Sequence, residues 1–148
     1  MKVSGVHHAC VIVSDMEKSL GFYRDLLGFR ETINITYDAD PVMMDLPGTK
    51  PVQHLVMLDA GNVNIELIQY LEPKGRPFDR QPCDAANMHI CFKVDDIRSV
   101  YKETRDKGII AFHRDPDFIK EDGGPLSGYG YVYFRGPDRE ILEFIQVP

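Results

Sequence analysis

The sequence predicts an α+β fold made of two copies of a βαβββ module. The first observation is a repeated phrase, because "HHACVIVSDM" near the start and "NMHICFKVDD" after residue 86 share a His, a Cys, a Val and an Asp at the same spacing. The second observation is that the same order of elements follows each phrase. Two copies are too few for a solenoid, so we interpret the pattern as an internal duplication within one 148-residue domain.

The first module is expected over residues 4–72. It opens with an apolar, β-branched segment, "VHHACVIV", which predicts a strand buried on both faces. A helical period follows, with Asp15 as its N-cap and Gly28 as its C-terminal stop. The remaining expected elements are a strand over 29–37, a loop over 38–51 that contains three prolines, and a hairpin over 53–71 that turns at "DAGN".

The second module is expected over residues 87–148, after a Pro- and Gly-containing linker over 73–86. It repeats the order of the first module, and Gly108 is expected to end its helix. The expected elements are a strand over 88–96, a helix over 96–107, a strand in "IIAFH", a long loop over 114–128 and a closing hairpin that turns at "GPD".

Composition excludes several classes of protein. A net charge of −6 without a basic cluster argues against nucleic-acid binding. No apolar run approaches the roughly 18 residues that a membrane span requires, and the N-terminus lacks a signal-peptide pattern. Three widely spaced cysteines do not form a disulfide framework, so we expect a cytoplasmic protein without a membrane or nucleic-acid partner.

The repeated histidines are the strongest candidates for a binding site. Side chains alternate along a strand, so His8 and His89 occupy equivalent faces of the two repeats. The last strand of each module carries an acid among apolar residues, Glu66 and Glu143, and such a carboxylate is costly to bury unless it is paired or bound to metal. Two His and two Glu would suit one divalent ion such as Zn, Ni, Co, Mn or Fe.

These motifs resemble the vicinal oxygen chelate superfamily, which includes glyoxalase I, methylmalonyl-CoA epimerase and extradiol dioxygenases. "HHACVIVSDMEKSLGFYRDLLGF" resembles its opening strand and helix, with His8 at the first metal position. "NIELIQY" and "MHICFKVDDI" place Glu66 and His89 at the second and third positions. "FRGPDREILEF" resembles its Asp-Pro-Asp-Gly turn before the fourth ligand, Glu143, although Gly136 and Arg139 stand where Asp and Gly are expected.

The resemblance implies that the two sheets form a cup-shaped metal site. It also implies a homodimer and an enzyme, namely a metal-dependent lyase or isomerase of the glyoxalase I or methylmalonyl-CoA epimerase type. Such an enzyme acts next to a carbonyl through a metal-stabilised enolate, so a small carbonyl or thioester substrate is expected. Glu143 or Glu66 is then the expected catalytic base, and no organic cofactor is expected.

Two alternatives remain at this point, since one fold supports many chemistries. The chain could be an Fe(II) ring-cleaving dioxygenase, although no clear His accompanies the tyrosines of its last hairpin. It could also be a metal-free small-molecule-binding protein of the drug-resistance type. Among the other polar residues, His7 is expected on the face opposite His8, while His54 and His113 are expected at the surface or in a pocket. The thiols of Cys10 and Cys91 are expected to be small buried fillers.

Overall fold

The computed structural model describes residues 2–77, 79, 81–108, 111–120 and 123–148. The chain divides into two compact units, Met1–Pro77 and Phe78–Pro148. Two positions of the predicted linker, Phe78 and Arg80, lie outside the described residues.

The first unit has the predicted βαβββ order. Its sheet runs β1-β4-β3-β2, with β1 parallel to β4 and the other neighbours antiparallel. The helix begins as an α-helix and continues directly as a π-helix. The elements are β1 (His8–Ile12), α1 (Met16–Leu20) with its π-helical continuation (Gly21–Leu26), β2 (Arg30–Asp38), β3 (Val52–Asp59) and β4 (Asn64–Glu72).

The core of this unit lies on one face of its sheet, where α1 contacts β4. The buried apolar side chains include Leu20, Phe22, Tyr23, Val56, Leu58, Ile65 and Leu67. The expectation that β1 is buried on both faces is wrong, because Val11 is buried whereas His8, Cys10 and Ile12 are exposed. The helix covers the Val11 face of β1, and the β1 side chains of the other face, which include His8, stay exposed.

The second unit repeats this order with one additional strand. Its sheet runs β5-β9-β8-β6, with β5 parallel to β9, and β7 pairs with β8. Each unit therefore contains the predicted βαβββ arrangement. The elements are β5 (His89–Lys93), α2 (Ile97–Asp106), β6 (Ala111–Phe112), β7 (Asp117–Phe118), β8 (Gly130–Arg135) and β9 (Ile141–Gln146).

The segment predicted as a long loop over 114–128 contains β7, which is a correction to the sequence-based expectation. Phe118 pairs with Gly130, and its ring lies so close that a Cβ at Gly130 would be 2.7 Å from a ring carbon. The Arg98 guanidinium stacks over the same ring at 4.9 Å. These contacts hold the segment against β8. Of the predicted strand "IIAFH", Ile109 and Ile110 lie outside the described residues, as do Glu121 and Asp122 of the predicted loop.

The start of each helix is held by an aspartate that precedes it and by a glutamine on the last strand of the unit. The predicted N-cap of the first helix is confirmed, since Asp15 accepts from the Lys18 amide. Asp96 caps the second helix in the same way and accepts from the Arg98 and Ser99 amides. A glutamine on the last strand of each unit then binds the first helical amide, with Gln69 accepting from Met16 at 3.2 Å. Gln146 accepts from Ile97 at 3.0 Å. The repeated Asp of the opening phrase thus has a structural role in starting each helix.

In the described part of the chain, no helix is both long enough and apolar enough to cross a membrane.

Candidate metal site

The first unit brings His8 and Glu66 together. Strand β1 runs parallel to β4 with Cys10 opposite Glu66, so His8, two residues earlier, shares the face of that carboxylate. The His8 Nε2 lies 3.4 Å from Glu66 Oε2. The predicted alternation and the parallel register together account for this contact.

The second unit reproduces the pair with His89 and Glu143. Cys91 is opposite Glu143 in the parallel β5–β9 pairing, as Cys10 is opposite Glu66. The His89 Nε2 lies 3.2 Å from Glu143 Oε2. All four sequence-predicted ligands therefore occur as two equivalent His–Glu pairs, one in each unit.

The carboxylates are more deeply placed than the imidazoles. The side chains of Glu66 and Glu143 are 13% and 10% exposed, whereas those of His8 and His89 are 38% and 43% exposed. The histidine Nε2 lies against one oxygen of each carboxylate. An acid in such a position needs a cation or a hydrogen-bond donor beside it.

The spacing within each pair is compatible with binding of a shared metal ion. Nitrogen and oxygen ligands at about 2.1 Å from an ion are separated by about 3.0 Å in octahedral and 3.4 Å in tetrahedral geometry. The observed separations of 3.4 and 3.2 Å fall within or at the edge of this range. Within the described ranges, no group of three or more His, Cys, Asp or Glu side chains converges on one point. Each unit by itself therefore holds one pair of candidate ligands.

The repeated cysteines lie beside the carboxylates rather than in the core. Cys10 and Cys91 are exposed as residues, which corrects the expectation of buried fillers. Burial around the sulfur and the adjacent Glu66 raise the pKa of the Cys10 thiol to about 12. Burial and a hydrogen bond to Glu143 likewise raise the pKa of Cys91 to about 12. In this environment each thiol stays protonated and supplies an S–H donor to its carboxylate.

The position of His7 differs from the sequence-based expectation. His7 precedes β1, so strand alternation does not place it opposite His8, and the two rings meet edge to face with 5.2 Å between centroids. The Nδ1 atoms of His7 and His8 are 2.9 Å apart. This contact orients the His8 ring with its Nε2 toward Glu66, as a second hydrogen-bonding partner does for many metal-binding histidines.

The two pairs differ in the residue on the neighbouring antiparallel strand. Met57 is opposite Glu66, while Tyr133 is opposite Glu143. The Tyr133 ring also packs edge to face against His89, with 5.4 Å between centroids. Burial and the charge of Glu143 raise the pKa of Tyr133, which keeps its hydroxyl protonated. The second pair therefore has an additional O–H donor that the first pair lacks.

The other polar residues considered in the sequence lie in different parts of the two units. His54 lies on the helix-covered side of its sheet, where its Nε2 binds Asn34 Oδ1 at 2.8 Å, so it is distant from the Glu66 face. His113 lines a cavity together with His89 and Tyr133. Lys93 is two positions after Cys91 on the strand of His89, which makes it a sequence-based candidate contact for an acidic substrate group; it is exposed at the end of β5 and does not line that cavity.

The turn before Glu143 explains one departure from the superfamily motif. Arg139 has a φ of 68°, the left-handed conformation for which the expected glycine is suited. Gly136 occupies a position where a Cβ would come within 2.3 Å of the Glu140 side chain. Arg139 thus takes the left-handed position of the turn, and β9 begins at Ile141 in the register that pairs Glu143 with Tyr133.

Comparison with known proteins agrees with this architecture. Among solved structures, a glyoxalase family protein from Bacillus cereus superposes with a TM-score of 0.82 at 14% identity, covering 99% of this chain and 96% of that chain. A glyoxalase family protein from Enterococcus faecalis gives a TM-score of 0.66 at 20% identity, covering 96% and 97%. At these identities the similarity establishes the fold alone.

Sequence comparison extends the similarity to curated proteins. The chain is 28% identical to a 2-epi-5-epi-valiolone epimerase from Actinomyces sp, with 97% of this chain and 79% of the relative covered. It is 30% identical to the uncharacterized protein YwkD from Bacillus subtilis, with 99% of both covered. The family model of the Glyoxalase/Bleomycin resistance protein/Dioxygenase superfamily matches residues 5–144. With the fold, the repeated His–Glu pairs and this match in agreement, the chain belongs to the glyoxalase/bleomycin resistance protein/dioxygenase superfamily.

Proposed function

We propose that this protein is a metal-dependent lyase or isomerase that moves a proton on a carbon next to a carbonyl. One divalent ion per chain would be bound by His8, Glu66, His89 and Glu143. The observation that carries the proposal is the repetition of the same His–Glu contact, at 3.4 and 3.2 Å, in two units of one chain. A bound ion would supply a Lewis acid that polarises the substrate carbonyl and acidifies the adjacent C–H.

The chain's own carboxylates would carry the proton. Glu66 and Glu143 lie at equivalent positions of the repeat, so the substrate carbon would meet one carboxylate from each module. Removal by one carboxylate and return by the other would invert the configuration at that carbon. Return by the same carboxylate to a neighbouring atom would instead give an isomer. A positioned carboxylate typically contributes about 10²–10⁴-fold as a general base.

Residues around the pairs support different roles for the two carboxylates. The Cys91 thiol and the Tyr133 hydroxyl both stay protonated beside Glu143, whereas Glu66 has the Cys10 thiol and the apolar Met57. Hydrogen bonds from the Cys91 thiol and the Tyr133 hydroxyl hold the Glu143 side chain in place. We therefore propose Glu66 as the base that removes the proton and Glu143 as the more firmly held ligand that returns it.

The similarity to an epimerase supports this reaction class over the other members of the superfamily. The relative from Actinomyces sp is an epimerase by name and matches 97% of this chain. Epimerisation next to a carbonyl requires the removal and return of a proton, which two equivalent carboxylates can perform.

The test is solvent deuterium exchange. Metal-loaded protein would be incubated in deuterated water with thiol adducts of methylglyoxal, acyl-CoA epimers and hydroxyketones, and deuterium on the α-carbon would be followed by NMR. We expect exchange on at least one class. Glu66→Gln should slow it about 10²–10⁴-fold while the protein stays folded. Glu103→Gln, on the surface of α2, is the matched control and should leave the rate unchanged.

One observation keeps the ring-cleaving dioxygenase as a second candidate. The sequence shows no evident histidine partner for the tyrosines of the last hairpin, yet His113 and Tyr133 line one cavity with His89. Oxygen uptake with catechols by the iron-loaded protein, without α-carbon exchange on any carbonyl compound, would favour the dioxygenase. Tight binding of a small molecule without either reaction would favour a binding protein.

A further inference from the structure

A cavity lies beside His89, and most of the residues that line it have no role in the proposed metal site. It has a volume of ≈ 360 Å³ and lies within the second unit, on the sheet face that carries the His89–Glu143 pair. This volume is in the range of small-molecule sites. Its walls combine polar and apolar groups, among them His113, Tyr133, Arg135, Met88 and Ile141.

The cavity has a cationic character that the whole chain lacks. The protein carries 23 acidic and 17 basic residues, yet none of the described residues that line the cavity is acidic. The Arg135 guanidinium donates one hydrogen bond from Nη1 to the Arg139 carbonyl at 2.9 Å. Within the described part of the chain, it forms no ion pair with a carboxylate. Most of its donors therefore remain available to a ligand.

The strand register places Arg135 two strands away from the candidate metal ligand His89. His89 is paired with Ile141, and Ile141 is paired with Arg135, so the three residues form one row across β5, β9 and β8. Neighbouring strands are about 4.8 Å apart, which puts the His89 and Arg135 backbones roughly 10 Å apart. A small molecule in the cavity would therefore have both side chains in its wall.

We propose that this cavity binds the carboxylate of the substrate, with Arg135 as the main anchor and His113 as a second donor. The substrate would then be a small carbonyl compound that also carries a carboxylate. The carbonyl half of this inference rests on the proposed function, whereas the carboxylate half rests on the cavity alone. A planar guanidinium matches a carboxylate with two parallel hydrogen bonds, and the single positive charge of Arg135 balances the single negative charge of a carboxylate.

The test uses the full-length protein with EDTA, so that a metal cannot hold the carboxylate. Pyruvate is the probe and methyl pyruvate is its uncharged counterpart, and both are titrated by NMR. We expect pyruvate to bind at least tenfold more tightly than the ester, because only the acid offers a charged partner to Arg135. Equal binding of the two compounds, or no binding of pyruvate, would overturn the proposal.

Variants test whether Arg135 causes the preference for pyruvate over methyl pyruvate. Arg135→Met should weaken pyruvate binding by about 10–100-fold without changing ester binding, as expected for the loss of a charged hydrogen-bonding partner. Arg135→Lys should give an intermediate affinity, and it replaces the first variant if that protein fails to fold. Arg30→Met removes an exposed cation from the first unit and should bind as the parent does; an equal loss there would contradict a local role for Arg135.

A third titration separates carboxylate from phosphate. Inorganic phosphate should compete weakly with pyruvate, and a phosphate affinity at least tenfold higher than that of pyruvate would exclude a carboxylate site. Because metal is absent throughout, these results do not depend on enolate chemistry. Failure of deuterium exchange would therefore refute the proposed reaction and leave the acid–ester comparison intact.

Discussion

The two His–Glu pairs combine an exposed imidazole with a nearly buried carboxylate. His8 and His89 are the accessible members, and their Nε2 atoms face Glu66 and Glu143. The thiols of Cys10 and Cys91 add S–H donors beside the carboxylates, because burial and the neighbouring Glu66 and Glu143 raise the thiol pKa to about 12. The close contact within each pair is between an imidazole nitrogen and a carboxylate oxygen.

Metal content tests these residues directly. Protein purified without chelators and analysed by elemental analysis is expected to hold one divalent ion per chain. His8→Ala and His89→Ala should each lower the metal affinity by about tenfold or more, since each removes a direct ligand. His54→Ala is the matched control, because its imidazole lies on the other face of the sheet and binds Asn34. Full occupancy in both ligand variants, under limiting metal, would refute the assignment.

At the scale of elements, each helix is joined to its own sheet by an aspartate and a glutamine. Asp96 caps α2 through two backbone amides, and Gln146 on β9 binds the amide of Ile97. The glutamine is three residues beyond the candidate ligand Glu143, so the strand that presents the carboxylate also holds the start of the helix. The same arrangement occurs in the first unit with Gln69 and Glu66. In both units, therefore, the strand that carries the candidate glutamate also binds the first amide of the helix.

The capping contacts have a measurable effect on stability. Asp96→Ala should reduce the free energy of unfolding by about 0.5–2 kcal/mol, because two amides in the first turn of α2 lose their acceptor. Urea denaturation followed by circular dichroism would give this value. The neighbouring change Asp95→Ala is the control, and as a surface substitution it should stay within about 0.5 kcal/mol of the parent. Equal effects of the two changes would argue against capping by Asp96.

At the scale of the whole molecule, we propose a homodimer. The first unit exposes large apolar side chains, and two of them lie next to each other in the loop after β2, where Val42 and Met43 are 76% and 77% exposed. Ile33 and Ile35 of β2 are also exposed. Neighbouring exposed apolar side chains such as Val42 and Met43 are often covered by a contact with another chain.

Sedimentation at micromolar concentration is expected to give a dimer. Replacing Val42 and Met43 together with Ser should weaken association by about tenfold or more, because both apolar contacts are lost. Leu126→Ser, which changes an exposed leucine of the second unit, is the control and should leave association unchanged. A monomeric parent protein would contradict the proposal.

Mixing the His8→Ala and His89→Ala variants tests whether one chain or two chains supply the pairs of a site. If each site takes one pair from each protomer, a mixed dimer contains one site that lacks both histidines and one site that retains all four ligands. Recovery of metal binding on mixing would therefore assign the pairs to different chains. No recovery would assign both pairs to one chain.

The superfamily, the two βαβββ units and the four ligand candidates could all be recognised in the sequence. Alternation along β1 and β5 predicts that His8 and His89 share a face with their cysteines, and Asp15 predicts the start of the first helix. These features depend on neighbouring residues and on the short periods of strands and helices, which are properties of local sequence.

Other features required the tertiary structure, because they depend on residues that are distant along the chain. The exposure of the His8 face follows from the one-sided covering of the sheet by α1, which the apolar pattern of "VHHACVIV" does not reveal. The pairing of β7 with β8 follows from the contact of the Phe118 ring with Gly130. Strand register places His89, Ile141 and Arg135 in one row. As a result, Arg135 of the last hairpin lines the same cavity as His89.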